Sequence, residues 1–251
     1  MSDVYTLLAP YYEALDMGAF AEAVTPQILR YAYSLDWVGR RVVDLGCGTG
    51  QSAHWYAAQG CNVLGVDASE SMLQVARSSI DVRGLSLQWR RGGGSVLDEL
   101  QEIDLVIALD MMNEMTGVRE LEAVFRSAAH ALAADKLFVF DLRTLEGLAA
   151  DHGITQVLRD DDSLVAFSTT TFDHERQTRL DDLRIFARHD DAWRRVNVTQ
   201  ARHGFPLQVV SALLGRSGFH LAAVVNAALE PINPAQPRTP RALYFARRSA
   251  S

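Results

Sequence analysis

Three glycines at alternate positions, Gly46, Gly48 and Gly50, follow the run Val42-Val43-Asp44-Leu45, with Cys47 and Thr49 between them. A short apolar run that ends in an acid and then in alternate glycines reads as a buried strand passing into a tight turn and a helix. Glycine permits positive φ and lets a ligand approach the backbone, and a helix beginning near Gln51-Ser52 offers free N–H groups in its first turn. A second acid, Asp67, stands 21 residues after Gly46, at the end of Cys61-Asn62-Val63-Leu64-Gly65-Val66. At the end of the second strand of a βαβ unit a carboxylate can accept both hydroxyl protons of a ribose. Its plainer role is to cap a helix starting at Ser69. The combination reads as a site for a nucleotide-type cofactor.

Charge narrows the cofactor. A dinucleotide turn wants a glycine three residues after its second glycine, and here that position is Gln51, the third glycine falling at Gly50. Asp44 would repel a pyrophosphate and attract an ammonium or sulfonium, so S-adenosylmethionine suits the turn better than NAD. The stretch Asp44 to Gly50 resembles the first motif of class I S-adenosylmethionine-dependent methyltransferases, and Asp67 matches the acid of their second strand. The similarity runs from the Tyr-rich start, Tyr5-Thr6-Leu7-Leu8-Ala9-Pro10-Tyr11-Tyr12-Glu13, to the last predicted strand. It implies that S-adenosylmethionine, leaving as S-adenosylhomocysteine, is held by Tyr12, Asp44, Gly46, Cys47, Gly48, Gly50, Asp67, Ala68, Met72, Gly94, Ser95, Val96, Leu109, Asp110 and Met111. The implied place of Met72 is near the adenine, although a lone methionine on a helix is more often core. Relatives of this kind usually carry Gly-Asp after the third strand, whose acid approaches the adenine amino group. Here Arg91-Gly92-Gly93-Gly94-Ser95 stands instead, which leaves adenine to backbone groups near Gly93 to Val96 or to a neighbouring side chain.

The acceptor side is less legible. Strand ends on this edge of a parallel sheet line the ligand crevice, so Asp110, which closes the predicted fourth strand Asp104–Asp110, and Asn113 and Glu114 just after it face the transferred methyl group or its acceptor. Asp110 and Glu114 are candidate bases, with capping or solvation as the commoner fate of such acids. No Asn/Asp-Pro-Pro-aromatic motif of base-amine methyltransferases follows that strand. Between about Ile154 and Gln200 the pattern changes to alternating segments, Thr155–Arg159, Leu164–Thr171, Thr178–His189 and Trp193–Gln200, parted by the charged turns Asp160-Asp161-Asp162, Asp173-His174-Glu175-Arg176 and Asp190-Asp191. This reads as an inserted antiparallel β meander. Such inserts cover the substrate in similar small-molecule methyltransferases, including amino-sugar and glycine N-methyltransferases. It brings His174, His189 and His203 as proton acceptors, each more often simply solvated.

The elements that must position these groups alternate. Phe20–Leu35 is a predicted helix covering the sheet, and Ser69 caps a helix carrying Met72 and Ala76. Leu85–Trp89 is the third predicted strand, Val118–Ala134 a helix and Lys136–Leu142 the fifth strand. Ala134-Asp135 replaces the Pro-Gly turn common in the family. Leu207–Ser217 is a helix, and His220–Val225 with Arg241–Ala246 forms a closing hairpin. The expected fold is therefore α/β: a Rossmann-like doubly wound sheet of about seven strands with an antiparallel last strand, plus the inserted meander. Residues 1–149 and 206–251 form the cofactor-binding core and 150–205 a substrate cover. The clusters around Tyr5, Tyr11 and Tyr12 form either a lid or a packed N-terminal segment.

Composition sets the exclusions. The 251 residues are 48% hydrophobic and 22% charged with a formal charge of −7, and the pairs Arg40-Arg41, Arg90-Arg91, Arg194-Arg195 and Arg247-Arg248 are scattered, which disfavours nucleic acid. Two cysteines, Cys47 and Cys61, support neither a disulfide framework nor a multi-cysteine metal site, and no metal is expected. Without a signal-like start or a membrane-length apolar run, the expected location is cytoplasmic, with no membrane partner, and the oligomeric state, monomer or homodimer, is open. The expected reaction is in-line methyl transfer to an N or O nucleophile of a small molecule. Alternatives are a NAD-linked oxidoreductase on the same fold and a non-catalytic cofactor-binding protein. Gly46→Val is expected to fill the crevice and harm binding more than stability.

Overall fold

A computed structural model describes residues 2–190 and 192–250, so Asp191 of the predicted Asp190-Asp191 turn lies outside the described residues. Parallel strands β1 (Arg41–Leu45), β2 (Asn62–Asp67), β3 (Leu87–Arg91), β4 (Ile103–Ala108) and β5 (Leu132–Arg143) alternate with helices α3 (Gln51–Ala58), α4 (Glu70–Ser79) and α5 (Val118–Ala131). The chain closes with α7 (Leu207–Arg216), β10 (Phe219–Asn226) and β11 (Arg241–Arg248). Among the described residues these strands form one sheet in the order β10-β11-β5-β4-β1-β2-β3, with β11 antiparallel to both neighbours. The inner strands are covered on both faces, which is why they read as nearly continuous apolar runs. Val43 pairs with Leu64 on one side and Val106 on the other and is fully buried.

Each face has its own core. α5 and α7 press Leu121, Phe125, Val210 and Leu214 onto Phe138, Phe140 and Tyr244 on one side. Helix α2 (Ala19–Ser34), with α3, presses Ile28, Leu29, Ala53 and Tyr56 onto Val42, Leu105, Val139 and Phe245 on the other. Burying a side chain of this size contributes about 1.5–3 kcal/mol, so the two faces supply most of the force that holds the strand ends in register.

A second sheet, β6 (Thr155–Asp160), β7 (Leu164–Asp173), β8 (Thr178–His189) and β9 (Ala192–His203), is an antiparallel meander in that order. It stands between the short helix α6 (Leu145–Ala149) and α7. Its third core is shared with the N-terminal segment. Leu8, at the end of α1 (Ser2–Leu8), and Leu15 pack with Leu164, Ala166, Leu183, Ile185 and Val198. The chain start and the meander are thus one structural unit.

Two local expectations shift. The third strand is Leu87–Arg91 rather than Leu85–Trp89, because its ladder matches β2 from Val63 to Asp67. α5 stops at Ala131 and β5 begins at Leu132, so Ala134-Asp135 lies inside the strand. There the pairing jumps from Ile103–Leu132 to Leu105–Leu137, and Asp135 takes φ +65°. An irregular strand start replaces the expected turn.

Candidate active site

The glycine turn folds as its composition demands. Gly46, Gly48 and Gly50 have φ of +75°, +56° and +87°, a region that L side chains rarely adopt. Their reasons differ, however. A Cβ on Gly48 would meet only the tip of Met72, at 3.4 Å, whereas on Gly50 it would lie 2.3 Å from the Trp89 ring. Gly65 on β2 makes room for the same indole, its Cβ position falling 2.5 Å from it. Gly50 therefore serves the packing of Trp89.

At the carboxyl ends of β1, β2 and β4 lies a cavity of about 410 Å³. Leu45, Gly46, Gly48, Asp67, Ala68, Leu109, Asp110 and Met111 come from the strand ends, Met72 from α4, and Gly92–Ser95 with Asp98 from the turn after β3. Glu120, Ala123, Val124 and Ser127, one face of α5, close a side, and Tyr5 and Tyr12 close the top. Glu114 and Met115 complete the wall. Tyrosines aside, every ionisable side chain on this wall is an acid: Asp67, Asp98, Asp110, Glu114 and Glu120. A smaller hollow adjoins it, sharing Tyr12, Gly46, Gly48, Leu109 and Asp110, and adds Asp44.

Asp44 is 2% exposed, and its Oδ2 has no hydrogen-bond partner. Burial, then the charge of Asp67, pushes its carboxyl up to about 7 against the pull of the Ala53 N–H. A buried carboxylate oxygen without a partner is costly, and a cationic donor in the adjoining hollow would satisfy it. Asp67 accepts N–H bonds from Gly48 at 2.9 Å (Oδ2) and from Ser69 at 2.8 Å (Oδ1), while burial raises its carboxyl. It pins the glycine turn to the start of α4, and it stands on the cavity wall. Ser69, whose Oγ accepts from the Met72 N–H, is the cap of α4.

Of the residues assigned to the cofactor from sequence, Tyr12, Gly46, Gly48, Asp67, Ala68, Met72, Gly94, Ser95, Leu109, Asp110 and Met111 line the cavity, and Asp44 and Cys47 line only the smaller hollow. Gly50 and Val96 line neither: Gly50 faces Trp89, and Val96 is buried in the core under α5. A side chain on Gly46 would meet Met111 at 3.0 Å on a left-handed backbone, so the expected selective effect of Gly46→Val gives way to strain as well. Asp98 was not foreseen. It follows the third strand on a 3-10 turn (Gly94–Glu99), three residues beyond Ser95, and is an acid on the cavity wall where the Gly-Asp pair is missing.

The five candidate proton acceptors separate. Asp110 takes φ +55° and accepts from Arg241 Nη1 at 2.8 Å, and its N–H donates to Asp141 at 2.7 Å. Arg241 also holds the buried Asp141 and stacks 3.6 Å over the Phe20 ring. That carboxylate is thereby engaged by the Arg241 guanidinium, which it shares with Asp141. Glu114 accepts the Tyr5 hydroxyl proton in a hydrogen bond. Burial, opposed by Tyr5 and Arg202, leaves its carboxyl raised. His203 lies at the end of β9, beside Thr178 Oγ1 at 3.1 Å. His174 packs edge-on against Phe172 and near His152 in the β7–β8 turn, at the same end of the meander as His203, yet lines none of these hollows, nor does the exposed His189. Asn113 faces no ligand either: its side chain bonds the backbone of Arg143 and His203, tying β5 to β9.

Residues 42–135 match the methyltransferase domain family. A protein of Geobacillus sp. (strain WCH70) is 30% identical over 106 residues, 42% of this chain and 43% of that protein, so the match spans less than half of that relative. An S-adenosylmethionine-dependent methyltransferase from Clostridium acetobutylicum superposes with a TM-score of 0.78 at 18% identity, covering 90% of this chain and 91% of that one. CalS10 of Micromonospora echinaspora, an amino pentose methyltransferase in its S-adenosylmethionine-bound form, gives 0.74 at 20% identity over 95% and 96%. Residues 42–135 thus resemble the methyltransferase domain family, and the chain shares the fold of the class I S-adenosylmethionine-dependent methyltransferases, with a four-stranded antiparallel sheet inserted after the fifth strand.

Proposed function

We propose that this protein transfers a methyl group from S-adenosylmethionine to an N or O nucleophile of a small molecule. The observation that carries the reading is the all-acid wall of the cavity together with the unpartnered Asp44 oxygen beside it. Such a site favours a ligand with ammonium and sulfonium charge and disfavours the pyrophosphate of NAD. The cavity volume lies within the range of cofactor sites. Asp44 would take the ammonium end, Asp67 the ribose hydroxyls, and Met72, Ser95 and Asp98 the region of the base. When bound, the sulfonium supplies an activated methyl group.

The chain's own part is to orient, to exclude water and, for a protonated acceptor, to receive a proton. Tyr5 and Tyr12, seated on the chain start that packs with the meander, roof the cavity. Residues 150–205 act as a substrate cover over a core of residues 1–149 and 206–251. A cover of this kind suits a small acceptor, and CalS10, which resembles this chain over nearly its full length, acts on an amino pentose. No helix of the described residues is long and apolar enough to cross a membrane. A cytoplasmic setting, free of nucleic acid and membrane partners, completes the proposal. Calorimetric titration with S-adenosylmethionine, S-adenosylhomocysteine and NAD tests it: binding of the first two is expected, and binding of NAD alone would overturn it.

A further inference from the structure

A second hollow, of about 240 Å³, lies on the other side of two residues that also line the main cavity. Its walls are Val4 and Tyr5 of α1, Glu114 and Thr116 after β4, and Thr199, Gln200, Ala201 and His203 of β9. Tyr5 and Glu114 are common to both linings, and they are hydrogen-bonded to each other across 109 residues of chain. The pair forms a partition. It joins α1 to the segment after β4 through a hydrogen bond, and nothing covalent holds it.

We infer that this second hollow is the acceptor site, that the acceptor is a small amine bearing hydroxyl groups, and that its ammonium replaces the Tyr5 hydroxyl on Glu114. The inference rests on the methyltransferase reading above. Three features of the walls select the acceptor. Among the described residues the one carboxylate that lines the hollow is Glu114, and no Lys or Arg lines it, so a cation is favoured over an acceptor carrying a phosphate or carboxylate. Thr116, Thr199 and His203 supply hydroxyl and imidazole groups spaced along one wall, suited to several hydroxyls of a compact polar molecule, while the Gln200 amide alternates to the other face of β9 and accepts from Arg202. Glu114 also faces the main cavity, so a nitrogen bound to it stands at the border between donor and acceptor chambers.

The Tyr5 contact explains how the carboxylate is kept ready. A buried acid without a partner would take up a proton, whereas the phenol gives it a neutral donor that an ammonium, as a charged donor, displaces with a stronger bond. Arg202 of β9 steadies the same pair by its charge. It is itself anchored on Asp181 at 2.6 Å, its Nε is buried without a partner, and it acts on both Tyr5 and Glu114.

The test uses the full chain saturated with S-adenosylhomocysteine and calorimetric titration with matched probes: glucosamine against glucose, and 2-aminoethanol against ethylene glycol. At least one amine is expected to bind ten-fold or more tightly than its hydroxyl partner. Glu114→Gln should weaken that binding ten-fold or more. Ala201→Trp, on an exposed strand position that lines only the second hollow, should abolish it while S-adenosylhomocysteine affinity stays within two-fold. Equal binding of amine and alcohol, no amine binding to a protein that holds S-adenosylhomocysteine, or amine binding untouched by Ala201→Trp would each overturn the inference and leave the cofactor reading standing. Failure of S-adenosylhomocysteine itself to bind would overturn both. Should Glu114→Gln not fold, Ala201→Trp decides alone.

Discussion

Asp44→Asn probes the cofactor pocket most directly, because the carboxylate is buried, lacks a partner at Oδ2 and ionises only near 7. In the ligand-free protein the sign is unusual for an aspartate. The folded-state value, about 7, lies above the ordinary 3.8, so the folded state holds its proton while the unfolded chain has lost it. Stability from this group therefore falls as pH rises from about 3.8 to about 7 and is level above that. A shift of roughly three units corresponds to a penalty on the order of 4 kcal/mol at pH 8. Asparagine removes the charge, so the variant should unfold at higher urea than the parent at pH 8, with the difference closing towards pH 4. Ligand binding should respond in the opposite sense. At pH 8 the ionised parent gains a charge-assisted bond to the ligand's ammonium, and its loss in the variant costs about 1.5–3 kcal/mol, ten-fold or more in Kd. At pH 6 the parent must first ionise Asp44, which costs it about 1.4 kcal/mol per unit below the folded-state value, so the gap narrows about ten-fold. Calorimetry with S-adenosylhomocysteine at pH 6 and 8 on both proteins reads this. If the variant binds as well as the parent at pH 8, or loses stability at that pH, Asp44 does not meet a cation and the argument from its orphaned oxygen fails.

Asp67→Ala should weaken S-adenosylhomocysteine binding by about 1–3 kcal/mol through lost hydroxyl bonds; because the same carboxylate holds the Gly48 and Ser69 N–H groups, a lower melting temperature should accompany it, and an unchanged Kd would remove Asp67 from the site. Gly50→Ala should act on stability instead, by about 1–3 kcal/mol from left-handed strain and the clash with Trp89. Adding Trp89→Leu should recover part of that loss in urea unfolding, and no recovery would mean that Trp89 is not what excludes the side chain. Arg241→Met strands Asp141, 1% exposed, and Asp110 without their shared cation. The expected cost is about 3–5 kcal/mol in urea unfolding, and a loss under 1 kcal/mol would show that the cluster contributes little.

Much of the donor side was legible in the sequence because its signals are local. The run Val42 to Leu45, the glycines at every second position and Asp67 at the end of β2 each declare themselves within a few residues, since φ, strand period and helix capping are properties of neighbours in the chain. The meander was legible for the same reason: β7 and β8 alternate buried and exposed residues along their length. Its ends were not, and β9 runs on to His203, because a strand stops where its partner stops.

What only the tertiary structure decided is which residues meet across long separations. Gly50 faces Trp89 instead of the cavity, Asp98 stands on the cavity wall where the expected acid is missing, and of two histidines at one end of the meander His174 packs on Phe172 while His203 reaches a hollow. Tyr5 meets Glu114, and Arg241 meets Asp110 and Asp141, through pairings 100 or more residues apart. Side chains so distant share no period and no spacing, and their encounter is set by the order of strands in the sheet and by the third core that lays the chain start against the meander. The sequence by itself thus determined a glycine turn and its acids, which point to the methyl donor. The partition between the two hollows exists only in the folded chain, because it is made by two elements that burial alone brings together.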